Sequence, residues 1–187
     1  MSLVDVRPLA GQRLEGAAIL QLTPEGRLPD GRHAVSVEEI YETFVENAPH
    51  RQAREVIFDA FKLHFSLIRK ILASGTLWID GGFCTHKAEE PKDIDIFIVV
   101  DPSVASRVTP EQEDQLMQLL TLQQVFSGAP RTALDRVQPM GGLVDCFLAL
   151  STDADALKEF DQLWSSVKGA DGETVPGVTK GYLEVSW

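Results

Sequence analysis

The chain has 187 residues, 44% of them apolar, and a formal net charge of -11; that length buries one substantial core but is short for two, and the acidity disfavours extended nucleic-acid or anionic-membrane binding away from a local basic patch. Its two cysteines, Cys84 and Cys146, belong to no CxxC or Cys/His series, so neither a disulfide framework nor a structural zinc site is signalled. The opening Met-Ser-Leu-Val-Asp-Val-Arg lacks the basic and apolar regions of a secretory signal, and no apolar run approaches the about 20 residues of a membrane span, so a cytoplasmic protein with no membrane partner is expected.

Residues 1–35, rich in Gly and Pro, read as an N-terminal arm or docking segment, with one short apolar run at 17–22 that fits a strand or the arm itself. Residues 36–187 read as a single α/β domain. Ser36 with Glu39 three positions on is a capping-box pattern, opening a short helix through Asn47 that Pro49 ends. Between 50 and 74, Val56, Ile57, Ala60, Phe61, Leu63, Leu67, Ile68, Ile71 and Leu72 recur at helical spacing, with Gly75 as the expected stop. Thr76–Asp80 is a predicted strand, Gly81-Gly82 a turn, and 93–100 a second strand, apolar on both faces beyond its first residues as a central strand is. Asp101-Pro102 ends it. Thr109-Pro110-Glu111-Gln112 combines an N-cap, a first-turn proline and a box partner, predicting a helix to about Phe126 that Ser127-Gly128-Ala129-Pro130 breaks. After an ambiguous stretch at 131–142, a third strongly apolar strand covers 143–150, a helix covers 153–167 before Gly169, and 182–187 forms a final edge strand.

Residues two apart on a strand share a face, so Asp93 and Asp95 project together from the start of the second strand while Ile94, Ile96 and Ile98 take the other side. Oxygen-only ligands suit magnesium or manganese, and the ions of two-metal sites, about 3.5 to 4 Å apart, can be bridged by neighbouring same-face carboxylates. Asp145 interrupts the apolar run Leu143-Val144-Asp145-Cys146-Phe147-Leu148, where an ionised group is costly without a partner, a metal or a site. Each part has a plainer reading: Asp93 as a turn residue after Pro91-Lys92, Asp145 as the partner of a core arginine, Gly81-Gly82 as a tight turn. Their order argues for chemistry. A strand, Gly-Gly, ten residues, Asp-x-Asp on a second strand, a helix, then a third strand with one Asp follow one another, and glycine lets backbone N–H groups approach phosphate oxygens.

Around these, Lys87 could reach a phosphate or simply be solvated, and Thr85 is a candidate phosphate donor. Cys84 and His86 lack the further N or S ligands of a metal site. On the long helix Arg51, Lys62 and Arg69 project within about 20° of one another, with Arg54 nearby. The plain reading of that stripe is a solvated face; the functional one is a landing place for a phosphate-bearing acceptor. His64, on the apolar side, reads as a hydrogen-bonded core residue.

With those parts in that order, the chain resembles the DNA polymerase beta-like nucleotidyltransferase superfamily, whose signature is a Gly-Gly or Gly-Ser turn, a spacer, an Asp-x-Asp or Asp-x-Glu, and a later strand Asp. Gly81, Gly82, Asp93, Asp95 and Asp145 fall on it. From about Pro29 to the C-terminus the chain is similar, more loosely, to small, poorly characterised bacterial and phage proteins of that superfamily, in Leu-Pro-Asp-Gly, Trp-Ile-Asp-Gly, Thr85, Lys87, Pro91 and the final Lys-Gly-Tyr-Leu-Glu. The resemblance implies a minimal nucleotidyltransferase fold, a small mixed sheet flanked by helices, and metal-dependent transfer of a nucleoside monophosphate from an NTP to a hydroxyl of RNA, protein or a small molecule. By it, Asp93 and Asp95 would ligate two Mg2+ (or Mn2+) ions and Asp145 the catalytic one near the attacking hydroxyl. Gly81 and Gly82, with Thr85 and Lys87, would hold the triphosphate. Gly82 stands where the nearer relatives tend to carry serine, which removes a side-chain donor to phosphate.

Only 42 residues follow Asp145, so the separate helical domain with which many nucleotidyltransferases grip base and acceptor is not expected. Recognition is then expected from the N-terminal arm, the 131–142 stretch, a homodimer neighbour or another partner macromolecule. The competing reading is a catalytically weak or inert nucleotidyltransferase-fold module that binds a protein partner or a nucleotide, for example in a toxin-antitoxin or phage-defence setting. An exposed apolar patch beside a closed acidic site would favour it.

Overall fold

The computed structural model describes residues 20–123, 136–169 and 171–187. In chain order they form β1 (Gly31–Ala34), α1 (Val37–Tyr41) continued by a π-helical turn (Glu42–Glu46), α2 (Arg51–Ile71), β2 (Thr76–Asp80), a single 3-10 turn (Gly82–Cys84), β3 (Ile94–Val100), α3 (Pro102–Ala105), α4 (Pro110–Met117), β4 (Leu122–Gln123), β5 (Arg136–Val137), a second 3-10 turn (Met140–Gly142), β6 (Val144–Leu150), α5 (Ala154–Trp164), β7 (Ser166–Lys168), β8 (Thr174–Thr179) and β9 (Gly181–Ser186). The architecture is mixed α/β. Five strands make one mixed sheet in the order β1-β9-β2-β3-β6, in which β1/β9 and β3/β6 run parallel and β9/β2 and β2/β3 antiparallel. Among the described residues no helix is long and apolar enough to cross a membrane.

The two faces of the sheet bury different partners because strand residues alternate. One face presents Leu77, Ile79, Ile94, Ile96, Ile98, Val144 and Leu183 to the main core, where α2 contributes Ile57, Phe61, Phe65 and Ile68. Each such side chain, fully buried, contributes about 1.5–3 kcal/mol relative to exposure. The opposite face presents Trp78, Phe97 and Tyr182 to Trp164 and Phe160 of α5, with Phe97 and Phe160 stacked at 3.9 Å between ring centroids.

Local signals explain most boundaries. The Ser36–Glu39 capping box is present in both directions and starts α1; the Thr109–Gln112 box starts α4. Helix α2 ends three residues before the point the sequence suggests. Leu72 is already extended, and Gly75 serves another purpose: it exchanges backbone hydrogen bonds with Trp187, whose indole fills the space a Cβ at Gly75 would need. Helix α4 stops at Met117, well short of Phe126, because Thr121 docks its amide on the Cys146 carbonyl and the chain leaves along β6 to pair as β4 with β5. Helix α5 stops at Trp164, and Val167, expected in the helix, is in β7. The break at 127–130 and residues 131–135 of the ambiguous stretch lie outside the described residues.

Two corrections concern the sheet's arrangement. The last strand is not an edge: β9 lies between β1 and β2, with Tyr182 and Leu183 wholly buried. Its outer neighbour β1 comes from within the expected N-terminal arm, so residues 20–35 belong to the domain rather than preceding it. Leu28 is in the main core, while Leu20 and Leu22, from the run at 17–22, pack against it without strand structure. Residues 1–19 lie outside the described part.

Candidate active site

Sheet register gathers the acidic residues. Asp95 on β3 stands opposite Asp80 on β2 and beside Asp145 on β6. Residues in register on neighbouring strands share a face, so Asp80, Asp95 and Asp145 form one row across three strands, with Asp93 two positions ahead of Asp95. Strands about 4.7–4.9 Å apart make that row about 10 Å wide. It lies on the α5 side, and the next row inward, Trp78, Phe97 and Phe147, floors it with aromatic rings.

Neighbouring side chains orient these carboxylates. Asp145, 4% exposed, accepts a hydrogen bond from the Thr121 hydroxyl at 2.6 Å, and the same hydroxyl oxygen accepts the Cys146 amide at 2.9 Å. The Gln138 side-chain amide donates to Asp93 at 3.2 Å. Asp95 reaches over the turn: Gly81 has φ +88°, and a Cβ there would overlap the Asp95 carboxylate. Glycine is thus required at 81 both by its backbone conformation and by the close approach of a site residue.

Asp80, the fourth carboxylate, is 6% exposed and pairs with Lys180 at 2.5 Å. Burial pushes its carboxyl above the usual range, and the Lys180 ammonium pulls it back part of the way. Lys180 also donates to the Trp164 carbonyl at 2.7 Å, placing a cation at the negative end of α5. One ammonium therefore separates a helix C-terminus from the acidic row.

Among the described residues no three His, Cys, Asp or Glu side chains stand close enough to form a ready cation cage. The donor set nevertheless fits a hard divalent ion: it is all oxygen, it lies on one face, and Thr121 and Gln138 hold two members as outer-shell partners hold ligating carboxylates.

Beside the row, the Gly81-Gly82 turn is stapled by Cys84, whose amide donates to the Gly81 carbonyl, and by Thr85, whose hydroxyl donates to the Gly82 carbonyl at 2.9 Å. The Thr85 hydrogen is committed there, so Thr85 shapes the turn. The Lys87 ammonium lies over Gly82, 3.3 Å from where a Cβ would stand. Gly82 itself does not have a left-handed backbone, so serine would fit with a small shift of that flexible side chain.

On α2, Arg51, Lys62 and Arg69 are exposed, in keeping with the plain reading of a solvated face, whereas Arg54 departs from it. Arg54 is wholly buried and its guanidinium is spent on main-chain carbonyls. Arg51 pairs with Glu55 and Lys62 with Asp59, each within α2, which neutralises the stripe locally. His64 is the core residue anticipated: its Nε2 lies 2.7 Å from the Leu119 carbonyl, and burial lowers its pKa. Cys84 is buried, its thiol pushed well up by desolvation, and the His86 ring bonds the Thr43 carbonyl, so the two form no ligand pair.

Sequence reasoning passed over Asp80, Lys180, Thr121 and Gln138 as site residues, and set Arg54 beside the surface stripe rather than under the glycine turn. A signal existed for the first two: Asp80 ends an otherwise apolar strand, and Lys180 opens the Lys-Gly-Tyr-Leu-Glu segment. Thr121 and Gln138 carried none, since their roles arise only when α4 and the turn before β6 fold against the row. No curated protein and no solved structure matches the chain. A family model matches residues 20–186, and the chain therefore belongs to DUF6932, a family of unknown function.

Proposed function

We propose that the protein is a metal-dependent nucleotidyltransferase that moves a nucleoside monophosphate from an NTP to a hydroxyl acceptor. The observation that supports this best is the register that sets Asp95 beside Asp145, with Asp93 two positions ahead, next to a glycine turn over which a lysine lies. Asp93, Asp95 and Asp145 would hold Mg2+ or Mn2+, which when bound neutralises phosphate charge and lowers the pKa of the attacking hydroxyl. Gly81 and Gly82 give the triphosphate close access to the backbone, and Lys87 offers a point charge to its oxygens. The acceptor oxygen bonds to the α-phosphorus, the bond to the pyrophosphate oxygen breaks, and pyrophosphate leaves with its electron pair while the hydroxyl proton passes to solvent. The aromatic floor beneath the row keeps water from its inner side.

Thermal melts of the wild type with each NTP and either metal are expected to rise, since a ligand bound only to the native state stabilises it. Asp93→Asn/Asp95→Asn should abolish that rise. Asp145→Asn should keep much of the rise yet lose transfer of label from NTP to RNA, protein or small-molecule extracts. An equal shift in the double variant, or no labelled acceptor with any of the four NTPs, would sink the enzyme reading. The alternative, a binding module, draws on Val56 and Leu63, 55% and 57% exposed and seven residues apart on one side of α2. A stoichiometric protein partner retained by both wild type and Asp145→Asn would support it.

A further inference from the structure

The segment between β2 and β3 carries the glycine turn and Lys87, and what holds it comes from outside the acidic row. Arg54 on α2 is 0% exposed. Its Nε donates to the Pro49 carbonyl at 2.7 Å, Nη1 to Phe44 at 3.0 Å and Phe83 at 2.6 Å, and Nη2 to Thr85 at 2.6 Å. Burying a cation is costly, and here the compensation is a set of carbonyl dipoles drawn from three stretches of chain. Phe44 lies in the π-helical turn, whose wider winding is itself often found at functional sites, Pro49 precedes α2, and Phe83 and Thr85 lie in the loop.

The same loop is tied a second time. His86 donates its amide to the Gly26 carbonyl at 2.8 Å, and its ring nitrogen lies 2.8 Å from the Thr43 carbonyl. Lys87 comes next, with its ammonium over Gly82. A planar guanidinium with five donors can span four carbonyls in fixed directions; an ammonium with three cannot.

We infer that Arg54 is a positioning residue for anion binding: by gathering the Phe83 and Thr85 carbonyls it fixes the loop so that Lys87 stays over the Gly81-Gly82 turn before any ligand arrives. The identity of the anion rests on the nucleotidyltransferase reading, whereas the clamp does not. Preorganisation of this kind lowers the ordering cost of binding.

The test uses the full chain and the variants Arg54→Lys, Lys87→Ala and both together. Amide hydrogen exchange is followed for peptides covering 81–90 and 144–150, and affinity is measured for magnesium with each NTP and for magnesium tripolyphosphate. Arg54→Lys should speed exchange in 81–90 about tenfold or more while 144–150 exchanges as in wild type. It should also weaken anion binding about tenfold, Lys87→Ala should weaken it comparably without changing exchange, and the double variant should bind no worse than the weaker single one. Unchanged loop exchange, equal acceleration in 144–150, or losses that multiply in the double variant would overturn the inference. If Arg54→Lys fails to fold, Arg54→Gln replaces it; failure of both makes Arg54 a core staple and also overturns it. If the wild type binds magnesium tripolyphosphate but no NTP, the nucleotidyltransferase reading alone fails; if it binds neither, the inference is overturned with it.

Discussion

Replacing Lys180 by methionine keeps most of the side-chain volume and removes one charge from the acidic row. The Lys180 and Asp80 side chains are 13% and 9% exposed, so solvent screens the pair little. Removing one partner of such a pair strands the other, at a cost of about 3–5 kcal/mol. The Trp164 carbonyl at the end of α5 loses its donor as well. In a domain of this size each kcal/mol moves Tm by about 2–4 °C, so Lys180→Met should melt about 6–20 °C lower at pH 7. Lys180→Met/Asp80→Asn should regain most of that loss, because the stranded charge is gone. The pH dependence has a definite sign. Without Lys180 the folded pKa of Asp80 rises further above its unfolded value, so the folded state binds the extra proton. The deficit must then shrink as pH falls toward about 4, the ordinary carboxylate pKa. Urea titrations of the three proteins at several pH values measure this. A single variant within about 1 kcal/mol of wild type, or a double variant no more stable than the single, would refute the assignment of Lys180 as the charge that holds Asp80 in place.

Gly81→Ala should cost about 1–3 kcal/mol, because φ is +88° and the new Cβ meets the Asp95 carboxylate. Gly82→Ala, facing only the flexible end of Lys87, should stay within about 0.5 kcal/mol, and equal costs at the two positions in urea unfolding would contradict the close-approach argument. His64, whose pKa burial lowers, contributes stability that is present above its unfolded pKa of about 6.5 and lost as pH falls from there toward its folded value, by up to about 1.4 kcal/mol per pH unit. His64→Gln, which retains a donor for the Leu119 carbonyl, should flatten that slope; coincident slopes for variant and wild type between pH 6.5 and 5 would count against it.

The parts of the fold legible in the sequence are those decided locally. Helix α2 and strands β2, β3 and β6 follow from periodicity, and the starts of α1 and α4 from their capping boxes. Long-range pairing was not legible: nothing near Gly31 announces that four residues will run parallel to a strand 150 positions away. The helical wheel also misplaced Arg54. Phe58 lies within about 20° of Arg51 on that wheel, yet is 3% exposed, because the π-helical turn and the loop at 83–86 cover that side of the N-terminal half of α2. A wheel records direction, not what lies in that direction. The turn and the pair Asp93 and Asp95 were legible because their geometry is set within a few residues, by strand alternation and by the steric freedom of glycine, whereas Asp80 joins the row only through the pairing of β2 with β3.

The charges around the row separate the two readings of the protein. Asp80 is matched by Lys180, Lys87 stands over the turn, and like charges on the carboxylates of the row and on a triphosphate repel one another. At a separation of about 4 Å and an effective dielectric constant near 20, each pair of like unit charges opposes approach by about 4 kcal/mol. Divalent cations between carboxylates and phosphates reverse the sign of such terms. On the nucleotidyltransferase reading an NTP at this turn arrives with metal, so its binding is expected to vanish in chelator. A protein partner on the exposed flank of α2 is under no such constraint, since Val56 and Leu63 meet it through apolar contact away from the row. The chelator dependence of each interaction thus assigns it to the acidic row or to the helix face before any product of catalysis is identified.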